Sequence, residues 1–276
     1  MSRSGEGRVA LVTGGSKGVG QGIAVGLAEA GWTVHVSGRD HDRLAATVER
    51  VEAAGSSGRA WVCEHTDDEQ VQSLVDGVHA EAGRLDLLVN NVWAGPRMNH
   101  AQPEKFWDRP LSDWEPLMDI GLRAHYVATH RAVPLMLAAG RGLIVNITSV
   151  GTRAYLHSTL YGMSKAALDK LTHDAAVELK GTDVTVISLW PGLVRTEQLL
   201  ASGVTDIAGV PVSDAETPEL QGRVLAAVAA DPDVARHAGG VLITAEAAQE
   251  YGVVEPDGGR PVSPRAMFGG PVFPPV

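Results

Sequence analysis

Short apolar runs alternate with longer amphipathic segments along most of this chain, and no other feature of the sequence constrains the fold as strongly. The runs that predict strands lie at 8–13, 33–38, 59–63, 85–91, 142–148, 184–192 and 239–244, and helical patterns include 21–31, 41–55, 67–83 and 160–181. Buried strands that are separated by helices form βαβ units, whose helices cover both faces of a parallel sheet. The alternation therefore predicts an α/β protein.

The chain has no internal repeat and no linker-like segment, so we expect residues 1–276 to form a single domain. Two long connections interrupt the alternation, at 93–116 and 197–218, and connections of this kind are often functional. We expect 197–218 to border the substrate. The tail at 256–276 is rich in glycine and proline, which leaves open whether it is disordered or packed as an extended arm.

Charge and composition exclude several classes of protein. The chain carries 33 acidic and 23 basic residues, a net charge of −10, and an acidic surface repels the phosphates of nucleic acids. Its one cysteine, Cys63, cannot form an internal disulfide. No apolar run is long enough to span a bilayer, and the start lacks the apolar stretch of a signal peptide. We therefore expect a cytoplasmic protein with no nucleic-acid partner and no membrane span.

A glycine-rich loop, TGGSKGVG, follows the first predicted strand and precedes a helix. Gly14 permits a tight turn, Gly18 allows a ligand to approach the backbone, and Gly20 lets the helix pack against the sheet. The helix would then present free N–H groups to the pyrophosphate of a dinucleotide. The spacing departs from the common GxGxxG pattern, and a tight turn without a ligand is the alternative. The expected cofactor contacts are Gly14, Ser16, Lys17, Gly18, Val19 and Gly20.

The end of the second predicted strand indicates which dinucleotide would bind. An NAD site usually has an acidic residue there for the ribose hydroxyls, whereas this chain has Ser37 and Gly38, followed by Arg39. Arg39 and Lys17 would suit the 2′-phosphate of NADP through charge-assisted hydrogen bonds. Asp40 comes late for a ribose contact and can cap the next helix instead. We therefore expect NADP(H) to be preferred over NAD(H), a solvated turn arginine being the alternative for Arg39.

Tyr161 and Lys165 are four positions apart in a predicted helix and therefore share one face. A nearby ammonium stabilises a phenolate and would lower the pKa of Tyr161 from about 10 toward the neutral range. This spacing alone is common by chance. Ser149, however, follows a predicted strand, and the carboxyl ends of parallel strands meet at one edge of a sheet. Asn90 and the segment 191–196 follow two other strands, so we expect these residues to form one site.

These motifs occur in the order typical of the short-chain dehydrogenase/reductase family, which the chain resembles over about residues 8–245. The resemblance implies a doubly wound, Rossmann-like parallel sheet of about seven strands flanked by helices. It also implies hydride transfer between NADP(H) and a small-molecule carbonyl or alcohol. Tyr161 would protonate the carbonyl oxygen, Lys165 would also hold the nicotinamide ribose, and Ser149 would orient the substrate oxygen. The implied cofactor contacts include Glu64, Asn90, Tyr161, Lys165, Pro191, Gly192 and Thr196, with Thr196 at the carboxamide.

Within the family, segments such as 121–126, 188–194 and 216–220 resemble the dehydrogenase/reductase member 1 branch, which suggests steroid-like or other bulky ketones and small aldehydes as substrates. Two positions depart from the usual family pattern. The segment NNVWAG at 90–95 is longer than the usual NNAG, so Val92–Trp93 must bulge, and the second departure is Gly121. Gly121 stands where a helix asparagine normally holds a water for the proton relay, and His125 or a water would have to substitute. This departure motivates the alternative function, a dinucleotide-binding sensor or scaffold with little turnover.

Several residues with large rings lie in segments that we expect near the substrate pocket. Their bulk suits a bulky apolar carbonyl, although they could also serve only to pack the two loops. The ten histidines lack the spacing of metal ligands, so we expect no metal. The residues expected near the pocket are Trp93, Trp107, Trp114, Tyr155 and His157.

The helix that contains Tyr161 also carries small residues that would allow close packing against a second copy of the chain. These residues are Ala166, Ala167, Ala175 and Ala176. Because most soluble oligomers are symmetric, one such face can serve both subunits. We expect a homodimer or a homotetramer, with the helix near 112–139 alongside this face.

Overall fold

In the part of the chain that the structure describes, seven strands form one parallel sheet, and each coincides with a predicted run. The structure is a computed structural model that describes residues 4–95, 104–207 and 209–276, so part of the 93–116 connection and position 208 lie outside it. Two further short strands, β7 Asp206–Ile207 and β8 Val210–Pro211, form an antiparallel ribbon inside the 197–218 loop. The sheet strands are β1 Val9–Thr13, β2 Thr33–Gly38, β3 Gly58–Val62, β4 Leu87–Asn90, β5 Gly142–Ile147, β6 Val184–Trp190 and β9 Val241–Ile243.

The helices of the described residues fill the segments between these strands. They are α1 Gly18–Glu29, α2 His41–Ala53, α3 Asp68–Ala82, α4 Ala124–Ala139, α5 Thr159–Glu178, α6 Glu197–Ala201, α7 Pro218–Ala230, α8 Thr244–Glu250 and α9 Arg265–Phe268. The chain enters α4 through a π-helical segment, Glu115–Arg123. None of the helices in the described residues has the length and apolar character that crossing a membrane requires.

The order of the strands in the sheet is β3-β2-β1-β4-β5-β6-β9. The chain winds outward from β1 to β3, crosses back to β4 and then winds outward in the other direction. This is the doubly wound, Rossmann-like order that the resemblance implies, and that prediction is confirmed. In such sheets, ligands bind outside the carboxyl ends of the strands, at the point where the winding changes direction. Here that point lies between β1 and β4.

Apolar residues cover both faces of the sheet. On one face, helices α1 and α7 pack unusually closely against each other. The side chains on that face include Ile23 and Leu27 of α1 and Val224 of α7, all without exposed surface. A Cβ atom on Gly22 would lie 2.2 Å from the carbonyl carbon of Pro218, so α7 can lie against α1 only because residue 22 is glycine. This contact holds the start of α7 close to the start of α1.

The tail at 256–276 lies against the domain as an extended arm. The Arg265 guanidinium donates to both carboxylate oxygens of Glu246 at 2.7 Å, and the Val276 N–H donates to the Ala238 carbonyl at 2.9 Å. The Phe273 ring packs against His173 of α5, with ring centroids 5.3 Å apart. The arm therefore covers part of the outer face of α5.

Candidate active site

The glycine-rich loop joins β1 to α1 in a conformation that requires glycine. Gly14 and Gly18 have φ values of 67° and 56°, a region that residues with side chains rarely adopt. A Cβ on Gly20 would lie 2.3 Å from the Gly14 carbonyl oxygen, so any larger residue would push α1 away from the loop. A Cβ on Gly18 would meet nothing closer than Thr196 Cγ2 at 3.6 Å. The loop thus leaves a cradle at the start of α1.

A carboxylate of the chain itself occupies this cradle. The Gly18 N–H donates to Glu197 Oε2 at 3.2 Å, and Glu197 follows Thr196 at the start of α6. Free N–H groups at a helix start attract anions, so this carboxylate stands where a phosphate oxygen of a dinucleotide would bind. The cradle fits a pyrophosphate if Glu197 moves aside. Of the other predicted contacts in the loop, Lys17 is exposed and Val19 packs against the apolar core.

The end of β2 carries no exposed carboxylate of its own. Ser37 is fully buried, and Arg39 follows it with its side chain exposed. The nearest acidic partner of Arg39 is Glu64, whose carboxylate lies 3.8 Å from the guanidinium. Asp40 accepts a hydrogen bond from a backbone N–H in the first turn of α2 and caps that helix, as predicted. Arg39 therefore places a cation at this strand end, with Glu64 beside it.

Ser149 and Tyr161 meet just beyond the carboxyl end of β5. Ser158 caps α5 by accepting the Tyr161 N–H at 3.2 Å, which places the phenol on the first turn of the helix. Tyr161 is 8% exposed, and its ring and the Ser149 hydroxyl lie side by side next to Gly151. Burial raises the pKa of Tyr161, and the Ser149 hydroxyl opposes that rise. The phenol is therefore protonated at neutral pH and can donate a proton.

Lys165 lies one turn further along α5, on the same buried face. Its Nζ donates to the Ile147 carbonyl at 3.0 Å. Burial lowers the pKa of Lys165 to about 8, against the opposing charge of Asp169. The sequence predicted that Lys165 would lower the pKa of Tyr161, but in the structure that pKa is raised, because burial of the phenol outweighs the other effects. Lys165 nevertheless lies beside the site, and because its pKa is about 8, its ammonium can give up a proton near neutral pH.

Two aromatic rings flank the phenol of Tyr161. The His157 ring meets it edge-on with centroids 4.8 Å apart, and the Trp93 ring meets it edge-on at 6.3 Å. His157 has a φ of 61°, which is uncommon for a residue with a side chain. The three other aromatic residues predicted near the pocket, Trp107, Trp114 and Tyr155, are exposed and have no ring contact with Tyr161 in the described residues.

The π-helical segment before α4 contains Gly121. A Cβ there would lie 3.7 Å from its nearest neighbours, Pro116 O and Trp93 Cδ1, so packing alone does not exclude a side chain. His125, which the sequence offered as a substitute for the missing asparagine, donates from Nε2 to the Val92 carbonyl at 2.9 Å. Burial lowers the pKa of His125 to about 3, so its ring is neutral. His125 Nδ1 has no hydrogen-bond partner among the described residues.

The side chains of Asn90 and Thr196, both predicted to contact the cofactor, form hydrogen bonds within the protein. Asn90 has no exposed surface and donates to Asn146 and to Thr129, both at 2.9 Å, so its side chain ties β4 to β5 and α4. The Thr196 hydroxyl caps α6. Pro191 and Gly192 lead out of β6 toward Thr196, and this stretch faces the glycine loop, since Thr196 lies against Gly18.

Sequence reasoning missed two acidic residues of the 197–218 loop, Glu197 and Glu216. Glu216 is 2% exposed, and its Oε2 accepts the Gly192 N–H at 3.0 Å. Burial raises the pKa of Glu216 to about 7. Both residues lie in a polar loop, where acidic side chains are usually solvated, so the sequence carried no signal that either one would be drawn to the site.

Comparisons with known proteins agree with this geometry. The family model described as "short chain dehydrogenase" matches residues 8–203. The human protein "Dehydrogenase/reductase SDR family member 1" is 39% identical over 267 residues, which cover 93% of this chain and 85% of the human one. "Sulfoacetaldehyde reductase 2" of Chromohalobacter salexigens is 32% identical over 215 residues, which cover 77% of this chain and 83% of that protein.

The fold comparison points the same way. A crystal structure of a short-chain type dehydrogenase/reductase from Mycobacterium marinum superposes with a TM-score of 0.74 at 26% identity, and the match covers 87% of this chain and 94% of that one. The doubly wound sheet, the glycine loop and the family match over most of the chain thus agree. The chain belongs to the short-chain dehydrogenase/reductase family, whose members are nicotinamide-dependent oxidoreductases.

Proposed function

We propose that this chain is an NADP(H)-dependent oxidoreductase that transfers a hydride between the nicotinamide and a carbonyl or secondary alcohol. The observation that carries the proposal is the contact between Ser149 and Tyr161, with Lys165 beside it at the carboxyl end of β5. The nicotinamide supplies or accepts the hydride when bound. In the reducing direction, Tyr161 donates its proton to the carbonyl oxygen, and the Ser149 hydroxyl orients that oxygen.

The remaining residues hold the cofactor and supply protons. Gly14, Gly18 and Gly20 bring the start of α1 to the pyrophosphate. Lys165 holds the nicotinamide ribose, and its exchangeable proton can replace the one that Tyr161 gives up. Thr196, at the end of the Pro191–Thr196 stretch, contacts the carboxamide.

The substrate that we propose is a bulky apolar ketone, of steroid-like size. Trp93 supports this proposal, because it places a large apolar ring beside the phenol of Tyr161, and the His157 ring adds a second flat surface there. We propose that the 197–218 loop borders the substrate. The test is NADPH oxidation over a panel of steroid, aromatic and small aliphatic ketones and aldehydes, and we expect the highest kcat/KM for the bulky ketones.

The same panel tests the alternative, a sensor or scaffold with little turnover. Gly121 favours that alternative, because the residue that would hold a relay water is missing and His125 Nε2 is already bonded to Val92. Binding of NADPH without oxidation by any substrate would support the sensor. Turnover with any member of the panel would exclude it.

We expect NADPH to bind more tightly than NADH, and Arg39→Ala to remove most of the difference. Loss of one charge-assisted hydrogen bond to the 2′-phosphate costs about 1.5–3 kcal/mol, roughly a ten- to hundredfold loss of affinity. Both cofactors are titrated by fluorescence. The matched control is Arg43→Ala, which removes an exposed arginine of the adjacent turn that pairs with Asp40. Equal affinities of the unaltered protein for the two cofactors would contradict the proposal.

We also propose that the protein is a homodimer or homotetramer through α4 and α5. Ala166 and Ala167 on α5 are half-buried, and α4 exposes Tyr126 and Leu137, whereas Ala176 is already covered within the chain. Light scattering at micromolar concentration is expected to give two or four times the 29.0 kDa mass of the chain. A monomer mass would rule out this assembly.

A further inference from the structure

The buried carboxyl of Glu216 has no part in the chemistry proposed above. Glu216 directly precedes Thr217, the cap of α7, and is 2% exposed. Carboxylates are seldom buried unless they are paired, and no salt bridge to Glu216 is formed by the described residues. Burying a carboxyl in this way costs free energy of folding, so we expect the contacts of Glu216 to serve a function.

The backbone of Glu216 pairs with the stretch that leaves β6. Its N–H donates to the Leu193 carbonyl at 2.7 Å, and its carbonyl accepts the Arg195 N–H at 2.8 Å. These two bonds form an isolated parallel bridge between Glu216 and Val194. The chain around residue 194 is therefore held from one side by the segment that starts α7.

The side chain adds a third attachment to the same stretch. Glu216 Oε2 accepts the Gly192 N–H at 3.0 Å and the Gln221 Nε2–H at 2.7 Å. Gln221 is itself fixed, because its Oε1 accepts the Thr244 hydroxyl at 2.6 Å. This bond sets the orientation of the Gln221 amide, so that its NH₂ group points to Glu216. Glu216 Oε2 therefore accepts hydrogen bonds from Gly192 N and from Gln221 Nε2.

The fit around Gly192 is tight. A Cβ on Gly192 would lie 2.7 Å from Glu216 Oε1, so the carboxyl packs directly against the backbone of residue 192. Oε1 has no hydrogen-bond partner among the described residues. Burial and the nearby charge of Glu255 raise the pKa of Glu216 to about 7, so the carboxyl can be neutral without losing the acceptor at Oε2.

We infer that Glu216 is a positioning residue that holds the 192–195 stretch in the conformation that receives the nicotinamide end of the cofactor. The inference rests on the proposed function, which assigns the carboxamide contact to this stretch. Gly192 and Arg195 bracket the stretch, and Glu216 binds both. Thr196, which follows, lies against Gly18 of the cofactor loop. Glu216 therefore acts on cofactor binding through the backbone of its neighbours.

The test compares NADPH with 2′-phospho-ADP-ribose, which has the same adenosine and pyrophosphate but no nicotinamide. Both are titrated by fluorescence or calorimetry against Glu216→Ala, Glu216→Gln and the unaltered protein. We expect Glu216→Ala to raise the Kd of NADPH about tenfold, since hydrogen bonds to a carboxylate are lost, and to change the Kd of the fragment less than about twofold. A residue that only stabilised the fold would weaken both ligands alike.

Glu216→Gln is expected to retain the NADPH binding that Glu216→Ala loses. Its amide oxygen can accept from Gly192 and Gln221 as Oε2 does, so the Kd of NADPH is expected to stay within about threefold of the unaltered protein. Glu219→Gln, on the first turn of α7 but facing Arg50 at the surface, is the matched control. If the Ala variant does not fold, Glu216→Asp replaces it, because a carboxylate that is one methylene shorter retracts from Gly192.

Each outcome bears on the inference. Unchanged NADPH binding by Glu216→Ala would overturn it, as would equal weakening of both ligands or a Gln variant as defective as the Ala variant. These results would leave the proposed function intact, provided that the unaltered protein binds NADPH and reduces a carbonyl. Failure of the unaltered protein to bind NADPH would overturn the proposed function and this inference together.

Discussion

Tyr161→Phe is expected to reduce kcat by about 10²–10⁴-fold while leaving the Kd of NADPH nearly unchanged. The substitution removes the phenolic hydroxyl, which is the transferable proton of the proposed reaction, and keeps the ring. The Tyr161 ring is held edge-on by His157 and Trp93, so its packing should persist in the Phe variant. Steady-state reduction of the best panel substrate measures kcat, and fluorescence titration measures cofactor binding.

The control for this prediction is Tyr126→Phe. Tyr126 lies on α4, is half exposed and carries the same hydroxyl away from the site, so its loss should leave kcat unchanged. Ser149→Ala should mostly reduce turnover as well, because the Ser149 hydroxyl contacts the phenol. A correctly folded Tyr161→Phe protein that binds NADPH and retains its turnover would disprove the role of Tyr161 as proton donor.

The sheet was predictable from the sequence because its signal is local. Each parallel strand is buried on both faces and therefore reads as an apolar run, as in β5 and β6. The glycine loop was predictable for the same reason, since its backbone conformation and close approaches admit only glycine at positions such as 14 and 20. The order of the strands in the sheet came from the family resemblance, because an apolar run does not indicate which other strands it pairs with.

The parts of the site that the sequence did not predict depend on tertiary contacts. Nothing near Glu197 in the chain indicates that its carboxylate reaches Gly18, which is 179 positions away. Glu216 is buried against residues 192–195, which are more than 20 positions earlier in the chain, and the docking of α7 on α1 just beyond it depends on Gly22. The pKa of Tyr161 was predicted in the wrong direction, because spacing along a helix reveals a neighbouring ammonium but not the burial of the phenol.

The largest expected effect on both binding and chemistry belongs to Lys165. Lys165→Met keeps the length and the apolar stem of the side chain and removes the ammonium, which is proposed to hold the nicotinamide ribose and to resupply the proton of Tyr161. Loss of a charge-assisted hydrogen bond should raise the Kd of NADPH about tenfold or more. Loss of the proton donor behind Tyr161 should lower kcat by about a hundredfold or more.

The Met variant is expected to fold. Removing the buried ammonium relieves its desolvation cost, which offsets the loss of the hydrogen bond to the Ile147 carbonyl and of the attraction to Asp169. Thermal unfolding followed by circular dichroism checks this expectation. Lys170→Met on the same helix is the matched control, because Lys170 is exposed and pairs with Asp174 rather than with any residue of the site.

The pH dependence separates the role of Lys165 from a purely structural one. Burial lowers the pKa of Lys165 to about 8, so the ammonium is present below that pH and is lost above it. Carbonyl reduction by the unaltered protein should therefore be highest below pH 8 and fall as the pH rises through it, since deprotonation removes the positive charge and the proton. The residual activity of Lys165→Met should lack this fall, because the titrating group is gone. If the activity of Lys165→Met falls above pH 8 as that of the unaltered protein does, another group titrates. If Lys165→Met has normal turnover and normal cofactor affinity, Lys165 has no role in the mechanism.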